Sequence, residues 1–426
     1  MYYSNRNRKN ASAPLIKTVC AIVFLLFVSI YLFFYQEDTL ALAQYVLSGG
    51  ATVYSRIIGG IIITVILALL QFSVAKLMLR KPLCIYALSC FPSLYLLAML
   101  TDFAPSHSLS AWGWWAILMP VVATIWWIIG YFLGEMLRYR FPDNNNEEGY
   151  LVRTLGCNIF LLAAMMICVG LMSNSNDVTH YRLKMERLLM HGKYAQALEV
   201  GKASDKSDAN LTMLRVFALA HEGRLGDELF KYPVRGTSAS IVPQLAESKM
   251  LMLSPDSVYR LLGAIPRKGQ TTINYLNAIV KSGQATKAAI EYLLCGMLID
   301  KNLDGFVSLL MKTHKIDDNL PLHYREALIL YTHRRSSPKV VYRNTVMDTD
   351  YNDMQRLERE TQTPGERRIK VYQQFFGTYW EYFDYDYSSR IPYDVYTLVP
   401  RSIRRNGMRV WTPTCRIQVL RNGSDC

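Results

Sequence analysis

The sequence predicts an all-α membrane protein, in which an N-terminal bundle of about five transmembrane helices precedes a soluble α-solenoid. Three observations support this fold class. Apolar runs long enough to cross a bilayer cluster in the first 172 residues, a glycine-centred turn recurs beyond them, and few stretches alternate with the period of two typical of strands. The predicted spans are residues 18–35, 57–79, 83–100, 114–137 and 154–172.

The last apolar run divides the chain into two halves. Between Thr154 and Met172 the only polar side chains are Thr154 and Asn158, and a run of this length fits the roughly 30 Å hydrocarbon core as a helix. No other long apolar run follows it. The predicted parts are a transmembrane domain at 1–172, a linker at 173–177, helical repeats at 178–335, and at 336–426 a C-terminal helical cap with an aromatic–acidic segment and an extended tail.

Basic residues flank the spans on alternate sides. The N-terminus, the turn at 80–82 and the loop at 138–153 are basic, whereas the loops at 36–56 and 101–113 together hold one basic residue, Arg56. The positive-inside rule therefore places the N-terminus in the cytoplasm and, after five spans, the tail outside it.

A cleaved signal peptide is the alternative interpretation of the first span, with Ala41-Leu42-Ala43 as the cleavage site. The apolar run is long for a signal peptide, and Glu37 and Asp38 separate it from that site, so we expect a retained helix. Cleavage would leave the tail on the same side of the membrane.

The spans predict an anchor and packing bundle, with lipid binding as the alternative. Pro92 in the third span is tolerated where neighbouring helices satisfy the freed carbonyl, and Gly130 and Gly134 could let another helix approach closely. Lys76 and Glu135 lie near the predicted inner ends, where they can reach the headgroups. Transport usually leaves ionisable residues deeper in the spans than this.

One element recurs in the tail as a helix, a glycine, a short turn and a new helix. A glycine just after a helix adopts the left-handed conformation easily, so we expect a positive φ at Gly192 and Gly223. These two glycines are 31 residues apart, which is near the tetratricopeptide period and predicts tetratricopeptide-like helix hairpins. The copies are His191–Ala197, Glu222–Glu228 and Ser282–Ala288.

Apolar residues at helical spacing predict amphipathic helices that stack on their neighbours. Pro255 and Pro321 mark helix starts, because proline suits the first turn. The stripes are Met213, Val216, Phe217 and Ala220; Ile290, Leu293, Leu294 and Met297; Leu303, Phe306, Val307 and Leu310; and Tyr324, Ala327, Leu328 and Tyr331.

The chain changes character after Arg335. The predicted elements, in order, are a charged helix near 350–360, a helix carrying Tyr372, Phe375, Phe376 and Tyr379, an aromatic–acidic segment at 379–387, and a basic extended segment at 391–413.

Charge and cysteine content exclude some classes of protein. The chain has a net charge of +13, and the tail carries 36 of its 47 Lys and Arg with 27 of its 34 Asp and Glu, without a basic tract. We therefore predict no nucleic-acid partner, and membrane lipid as the anionic surface. Cys295 falls on an apolar stripe, whereas Cys415 and Cys426 either form a disulfide or remain free thiols near the C-terminus.

No sequence motif for catalysis, metal binding or cofactor binding is present, so we predict no catalytic residue, no metal and no cofactor. The candidate binding surface instead combines a charged helix with the aromatic–acidic segment, whose rings could stack on sugars. The alternative interpretations are a solvated helix face and a cap on the last repeat helix. The surface comprises Tyr324, Arg325, Glu326, Tyr379, Trp380, Glu381, Tyr382 and Asp384.

Several segments together resemble a known family. The matching pieces are Ala218-Leu219-Ala220 through Gly223-Arg224-Leu225 with Asp227 and Phe230, Leu320-Pro321 with residues 324–328, and Thr378-Tyr379-Trp380. The chain resembles uncharacterised Gram-negative multi-pass membrane proteins with a tetratricopeptide-like extracytoplasmic tail. The resemblance implies an inner-membrane location and a periplasmic tail, and it supplies no activity.

Two functions remain open at this level. The leading hypothesis is an inner-membrane protein without catalysis that presents a helical-repeat scaffold to a protein or peptide outside the cytoplasm. The alternative is an envelope enzyme or carrier for a lipid-linked or glycan substrate, although the outer loops offer only Glu37, Asp38, Arg56, Asp102 and His107 for chemistry.

Overall fold

The computed structural model describes residues 2–78, 83–102, 110–140, 149–245, 248–267, 269–283 and 285–385. Within those ranges the chain is helical and contains no strand. The membrane half contains α1 (Tyr2–Ile30), α2 (Glu37–Leu47), α3 (Arg56–Leu77), α4 (Phe91–Thr101), α5 (Ser110–Arg140) and α6 (Tyr150–Met172).

Five helical stretches among the described residues are long and apolar enough to cross a membrane, as predicted. They are Ala13–Tyr35, Arg56–Leu77, Leu83–Thr101, Ile117–Met136 and Tyr150–Met172. The third span is the irregular one, because a 3-10 helix (Leu83–Cys90) precedes α4 and Pro92 lies in the first turn of α4. Proline at that position interrupts no hydrogen bond within the helix.

Asn158 of α6 secures the irregular 3-10 helix. Its side-chain oxygen accepts a hydrogen bond from Ala87 N at 2.7 Å, and its amide nitrogen donates to Leu83 O at 2.9 Å. Both groups belong to the 3-10 helix, where a buried backbone group without a partner would be expensive in lipid. Asn158, the polar residue near one end of the last span, therefore satisfies backbone groups of the 3-10 helix.

The G-x-x-x-G pair of α5 faces the 3-10 helix. Gly130 and Gly134 are both buried, and a Cβ on Gly130 would lie 3.9 Å from Leu88 Cδ1. One turn earlier, Trp126 Nε1 donates to Leu88 O at 3.2 Å and its ring stacks on Phe91 at 5.9 Å between centroids. The two glycines thus form part of one packed seam within the bundle.

The end of the first span and the loop after it contain two helical elements that the sequence did not predict. The span ends in a π-helical turn, Tyr31–Tyr35, and α2 follows immediately. Leu42 and Ala43 of α2 are buried with Leu183 and Met252 of the tail in one small apolar cluster. The loop after the first span is therefore a docking element for the tail.

Hydrogen bonds also tie the chain after α6 to the bundle. Tyr31 donates to the hydroxyl of Ser173, and Asn174 N donates to Thr101 O at 3.4 Å. Gln36 Nε2 reaches Asn174 O at 3.3 Å. Ser173 and Asn174, the first two residues of the predicted linker at 173–177, are therefore held to the bundle by hydrogen bonds.

An ionic clamp completes the junction between bundle and tail. Arg187 lies on the first tail helix, α7 (Asp177–Met190), and contacts Glu37 at 2.6 Å and Asp38 at 3.0 Å, both in the first turn of α2. Burial raises the pKa of Asp38, and Arg187 opposes that shift. Glu37 also contacts Arg56 at 3.5 Å, so charges from three helices meet here.

Glu186, next to Arg187, holds a distant loop in place. One oxygen of its buried carboxylate accepts hydrogen bonds from the backbone N–H groups of Leu251 at 2.8 Å, Met252 at 2.7 Å and Leu253 at 3.3 Å. Arg182 contacts the other oxygen at 3.4 Å. Burial raises the pKa of Glu186, and these donors oppose that shift.

The glycine turns of the tail adopt the predicted geometry. Gly192 and Gly223 have φ values of +68° and +66°, and Gly283 of the third copy has +73°. The second helices of the first two copies are single turns, and the third copy is a full hairpin. The helices in this region are α8 (Tyr194–Leu198), α9 (Ala209–His221), α10 (Leu225–Glu228), α11 (Asp256–Leu262), α12 (Thr272–Lys281) and α13 (Lys287–Ile299).

A single apolar cluster extends through the tail and contains every predicted stripe, with Ile290 and Met297 partly buried at its edge. This packing is compatible with stacked hairpins. Helix starts at Pro255 and Pro321 are confirmed, since each proline immediately precedes a helix. The remaining helices are α14 (Leu303–Thr313), α15 (Leu322–Arg334), α16 (Thr345–Glu360), α17 (Pro364–Phe375) and α18 (Tyr379–Asp384).

The predicted helix through Tyr372 and Tyr379 is two helices. Gly377, with a φ of +89°, separates α17 from α18, and Tyr379 begins the second of them. The basic segment at 391–413 and the residues Cys415 and Cys426 lie outside the described residues, and the disulfide stays a prediction.

Candidate functional site

Most of the candidate binding surface is buried. Tyr324 and Tyr379 are 0 % exposed, and Trp380, Glu326 and Glu381 are 2–4 % exposed. These five side chains therefore offer little to a ligand. Arg325, Tyr382 and Asp384 are the partly exposed members.

Glu326 is the centre of the buried group. Its Oε2 accepts hydrogen bonds from Tyr379 N at 2.7 Å and from His323 Nδ1 at 2.9 Å. His323 Nε2 accepts from Phe230 N at 3.3 Å, so the geometry assigns the imidazole proton to Nδ1. The carboxylate and the imidazole together join α15, α18 and the segment around Phe230.

The aromatic side chains of α18 direct their polar atoms toward backbone carbonyls. Trp380 Nε1 donates to Glu326 O at 2.8 Å, Tyr379 OH to Leu298 O at 3.1 Å, and Tyr382 OH to Ile299 O at 2.9 Å. Aromatic side chains with a polar tip take such partners when they are buried. This packing supports the cap interpretation of the segment for Tyr379 and Trp380.

Arg325 and Asp384, the two partly exposed charged members, lie outside that buried group. Asp384 pairs with Arg334, whose guanidinium carbon also lies 5.4 Å from the centroid of the Phe383 ring. Burial raises the pKa of Asp384, while Arg334 opposes the shift. The Tyr342 hydroxyl, then the amide of Asn344 and the charge of Arg325, hold the pKa of Asp318 below its usual range.

A small cavity opens beside the cap, between α17, α18 and residues 230–235. Its volume is about 40 Å³. Glu381 and Tyr382 are the predicted surface residues that line it. The full lining is Asp205, Phe230, Tyr232, Pro233, Val234, Arg235, Tyr372, Phe376, Glu381 and Tyr382.

Half of the residues that line this cavity are aromatic. Tyr372 and Phe376 are 4.8 Å apart between ring centroids at an interplanar angle of 48°, and Phe230 and Tyr382 are 4.7 Å apart at 43°. Tyr372 OH donates to Asp205 Oδ1 at 2.6 Å, which joins α17 to the loop before α9.

Sequence reasoning missed Asp205, Tyr232 and Arg235 in this cavity. Phe230 was noted only within the family resemblance, and no motif connects these residues to one another. Tyr232 and Pro233 offered a weak signal, because an aromatic–proline pair after a short helix often marks an exposed turn. The separation of 167 residues between Asp205 and Tyr372 shows why spacing alone gave no indication.

A second, more open polar cavity lies at the start of α16 and includes His333 and Asp348, which are 3.0 Å apart. The described residues contain no group of three or more His, Cys, Asp or Glu side chains that could hold a metal ion. The polar groups of this cavity mainly satisfy each other, as Asp348 also accepts from Asn344 N at 3.1 Å. We therefore regard the aromatic cavity as the candidate site.

Comparison with known proteins adds family membership. No curated protein and no solved structure matches the chain. A family of unknown function, DUF6057, matches residues 103–265 and 266–386, which cover the last two spans and the tail through α18. The match does not address a Gram-negative source or tetratricopeptide repeats, and those expectations stay predictions. Because the matched segments cover about two thirds of the sequence, the chain belongs to the DUF6057 family.

Proposed function

We propose that the protein is a membrane-anchored scaffold, without catalysis, whose tail binds a protein or peptide partner outside the cytoplasm. The observation that carries this proposal is the aromatic cavity beside the cap. Exposed aromatic side chains in a concave site are typical anchors for a partner side chain. Phe376, at 41 % exposure, is the most accessible ring of the cavity.

The firm attachment of the tail also supports a presenting role. The Arg187 clamp, the Leu42 cluster and the Tyr31 hydrogen bond connect the tail to the bundle at three separate places. A scaffold that holds a partner at a defined position relative to the bilayer needs such an attachment, because a flexible linker would disperse that position.

The location proposed is the inner membrane of a Gram-negative cell, with a cytoplasmic N-terminus and a periplasmic tail. The alternation of basic loops supports it. A reporter that is active only in the periplasm should be active when fused after Asp177 and silent when fused near Asn145. The reverse pattern would overturn this orientation.

Site-specific photocrosslinking tests the scaffold function. A benzoylphenylalanine placed at Phe376 should give a discrete protein adduct in intact cells. Val346 of α16, which is 70 % exposed and apolar but does not line the cavity, is the matched control position. Filling the cavity with Val234→Phe should remove the adduct. Identical adducts from both positions, or an adduct that survives the filled cavity, would contradict the proposal.

A further inference from the structure

A cation lies over an exposed aromatic ring at each end of the second span. Arg56 begins α3, and its guanidinium carbon is 5.0 Å from the centroid of the Phe34 ring, which is 77 % exposed. Lys76 is in the last turn of α3, with Nζ 4.5 Å from the exposed ring of Phe72. The two cations are 20 residues apart, which is about 30 Å along a helix and matches the roughly 30 Å hydrocarbon core. Each charge therefore lies beside the phosphates of one leaflet.

The two cations are held in different ways. The lysine and its ring both belong to α3, whereas the ring under Arg56 belongs to the first span. The first span and α3 pack closely here, because a Cβ on Gly60 would lie 2.7 Å from the ring of Phe33. Arg56 is therefore part of a fixed contact between two spans, at the end of the bundle where the tail attaches. Lys76 has only a local contact with its own helix.

The guanidinium of Arg56 keeps most of its hydrogen-bonding capacity. Its Nε lies 3.5 Å from Glu37, and Arg56 donates no hydrogen bond to any residue that the structure describes. Glu37 has a closer partner in Arg187, at 2.6 Å. The terminal nitrogens of Arg56 can consequently serve a group that presents two acceptor oxygens side by side, as a phosphate does.

The charges around Arg56 favour an anion. Two carboxylates meet three cations in this cluster, which consists of Glu37, Asp38, Arg56, Arg187 and Lys184. One positive charge is therefore in excess. At the edge of the hydrocarbon core an unbalanced charge is costly, and an anionic headgroup would balance it.

An apolar surface for an acyl chain adjoins the guanidinium. Leu26, Ile30 and Phe34 recur every four residues along the first span and are all exposed, as is Ile57 of α3. Residues four apart lie on one face of a helix. We propose that Arg56 and this face bind one anionic phospholipid, with its phosphate on the guanidinium and an acyl chain along the first span. This site goes beyond the scaffold function and does not depend on it.

Glu37 gives the proposal a sign test. Its carboxylate contacts the guanidinium and would repel a phosphate bound there. Glu37→Gln keeps an oxygen for Arg187 but removes the charge, so it should strengthen the binding of an anionic lipid. The same change would weaken the binding of a cationic headgroup.

The test uses the full-length protein in phosphatidylcholine nanodiscs, with 4-fluorophenylalanine at Phe34 as the probe for fluorine NMR. Added phosphatidylglycerol should give a saturable shift. Phosphatidylethanolamine, which has the same phosphate but no net charge, should need an about fivefold higher mole fraction. Arg56→Gln should weaken the response to phosphatidylglycerol about fivefold, the contribution typical of one basic residue at an anionic membrane surface.

Two variants control for charge and for folding. Lys76→Gln removes the cation at the other end of α3 and should leave the response at Phe34 unchanged. Arg56→Lys keeps the charge but loses the planar fork, so it should also bind phosphatidylglycerol more weakly than the wild type. Amide exchange in α7 checks that the junction stays folded in each variant.

Several results would overturn the site. They are equal responses to the two added lipids, wild-type binding in Arg56→Gln, weaker binding in Glu37→Gln, and an equal loss in Lys76→Gln. A shift caused by inorganic phosphate alone would indicate a site for a soluble anion and would also overturn the lipid proposal. Photocrosslinking at Phe376 reports on the tail, so failure of the lipid site leaves the scaffold function standing, and the reverse also holds.

Discussion

The membrane bundle and the tail are both helical, yet they use buried polar side chains differently. In the bundle, uncharged groups bond to the backbone of an adjacent helix, as Asn158 does and as Ser93 does with Leu67 O at 2.8 Å. In the tail, the carboxylates of Glu186 and Glu326 join segments that are far apart in sequence. Charge is expensive in hydrocarbon, whereas in the tail converging N–H donors offset part of the cost of burying a carboxylate.

This contrast predicts unequal losses of stability when a buried polar side chain that bonds to the backbone is removed. The cap should lose the most. Glu326→Ala leaves the N–H of Tyr379 and the imidazole N–H of His323 without their acceptor. Each stranded donor costs about 1–3 kcal/mol, so the loss should be roughly 2–6 kcal/mol. Hydrogen exchange of the α18 amides in the full-length protein measures it. Glu326→Gln, which retains an oxygen acceptor, should lose less protection. Unchanged protection in both variants would show that the Glu326 carboxylate does not stabilise the cap.

The second prediction tests the tail at a glycine turn, where no buried polar side chain is changed. Gly223 has a φ of +66°, and nothing lies within 4 Å of the position that its Cβ would occupy. Gly223→Val should therefore destabilise the turn through backbone strain alone, by roughly 1–2 kcal/mol. Asn tolerates this conformation better, so Gly223→Asn should cost less. Equal exchange rates around the turn in the two variants would show that strain is not the cause.

The third prediction tests the bundle. Asn158→Leu removes the partners of Ala87 N and Leu83 O. Polar contacts between membrane helices typically contribute about 0.6 kcal/mol, with a maximum of about 1.7, so the loss should be smaller than in the cap. Exchange of the Ala87 amide is the measurement, and Ile159→Leu, on the more exposed side of α6, is the control. A larger loss of stability than in Glu326→Ala would contradict the proposed difference between bundle and tail.

The smallest effect is a pH dependence at Glu186. Because the pKa of Glu186 is raised in the folded protein, its contribution to stability is fully present below the unfolded pKa of 4.5 and is lost as the pH rises through the raised value. After correction for intrinsic exchange, the amides of residues 251–253 should be better protected near pH 5 than at pH 7. Glu186→Gln should show no such difference. Greater protection at pH 7 in the wild type would contradict the direction of the shift.

The same contrast explains what the sequence could predict. Lipid demands long apolar runs, and these are visible without any tertiary contact, so the five spans were found. The turn glycines were found because a positive φ is a local requirement. Both signals act over a few residues.

The junction and the candidate site depend on contacts that no local pattern encodes. Arg187 and Glu37 are 150 residues apart, and α2 is too short for its apolar residues to indicate a tail-facing helix. The candidate surface was assembled from the aromatic and acidic composition of two segments, and five of its eight side chains are buried. Composition alone does not reveal whether a Tyr or Trp will bond to water or to a backbone carbonyl, and Tyr379 and Trp380 bond to carbonyls.

The attachment of the tail to both the first and the last spans has a mechanical consequence. The tail continues directly from α6. Its Arg187 also pairs with Glu37 of α2, which belongs to the loop after the first span. A tail attached only through α6 could rotate about the membrane normal, whereas attachment to both spans resists that rotation. A force applied to the tail would therefore reach the first and last spans together, as a torque on the bundle.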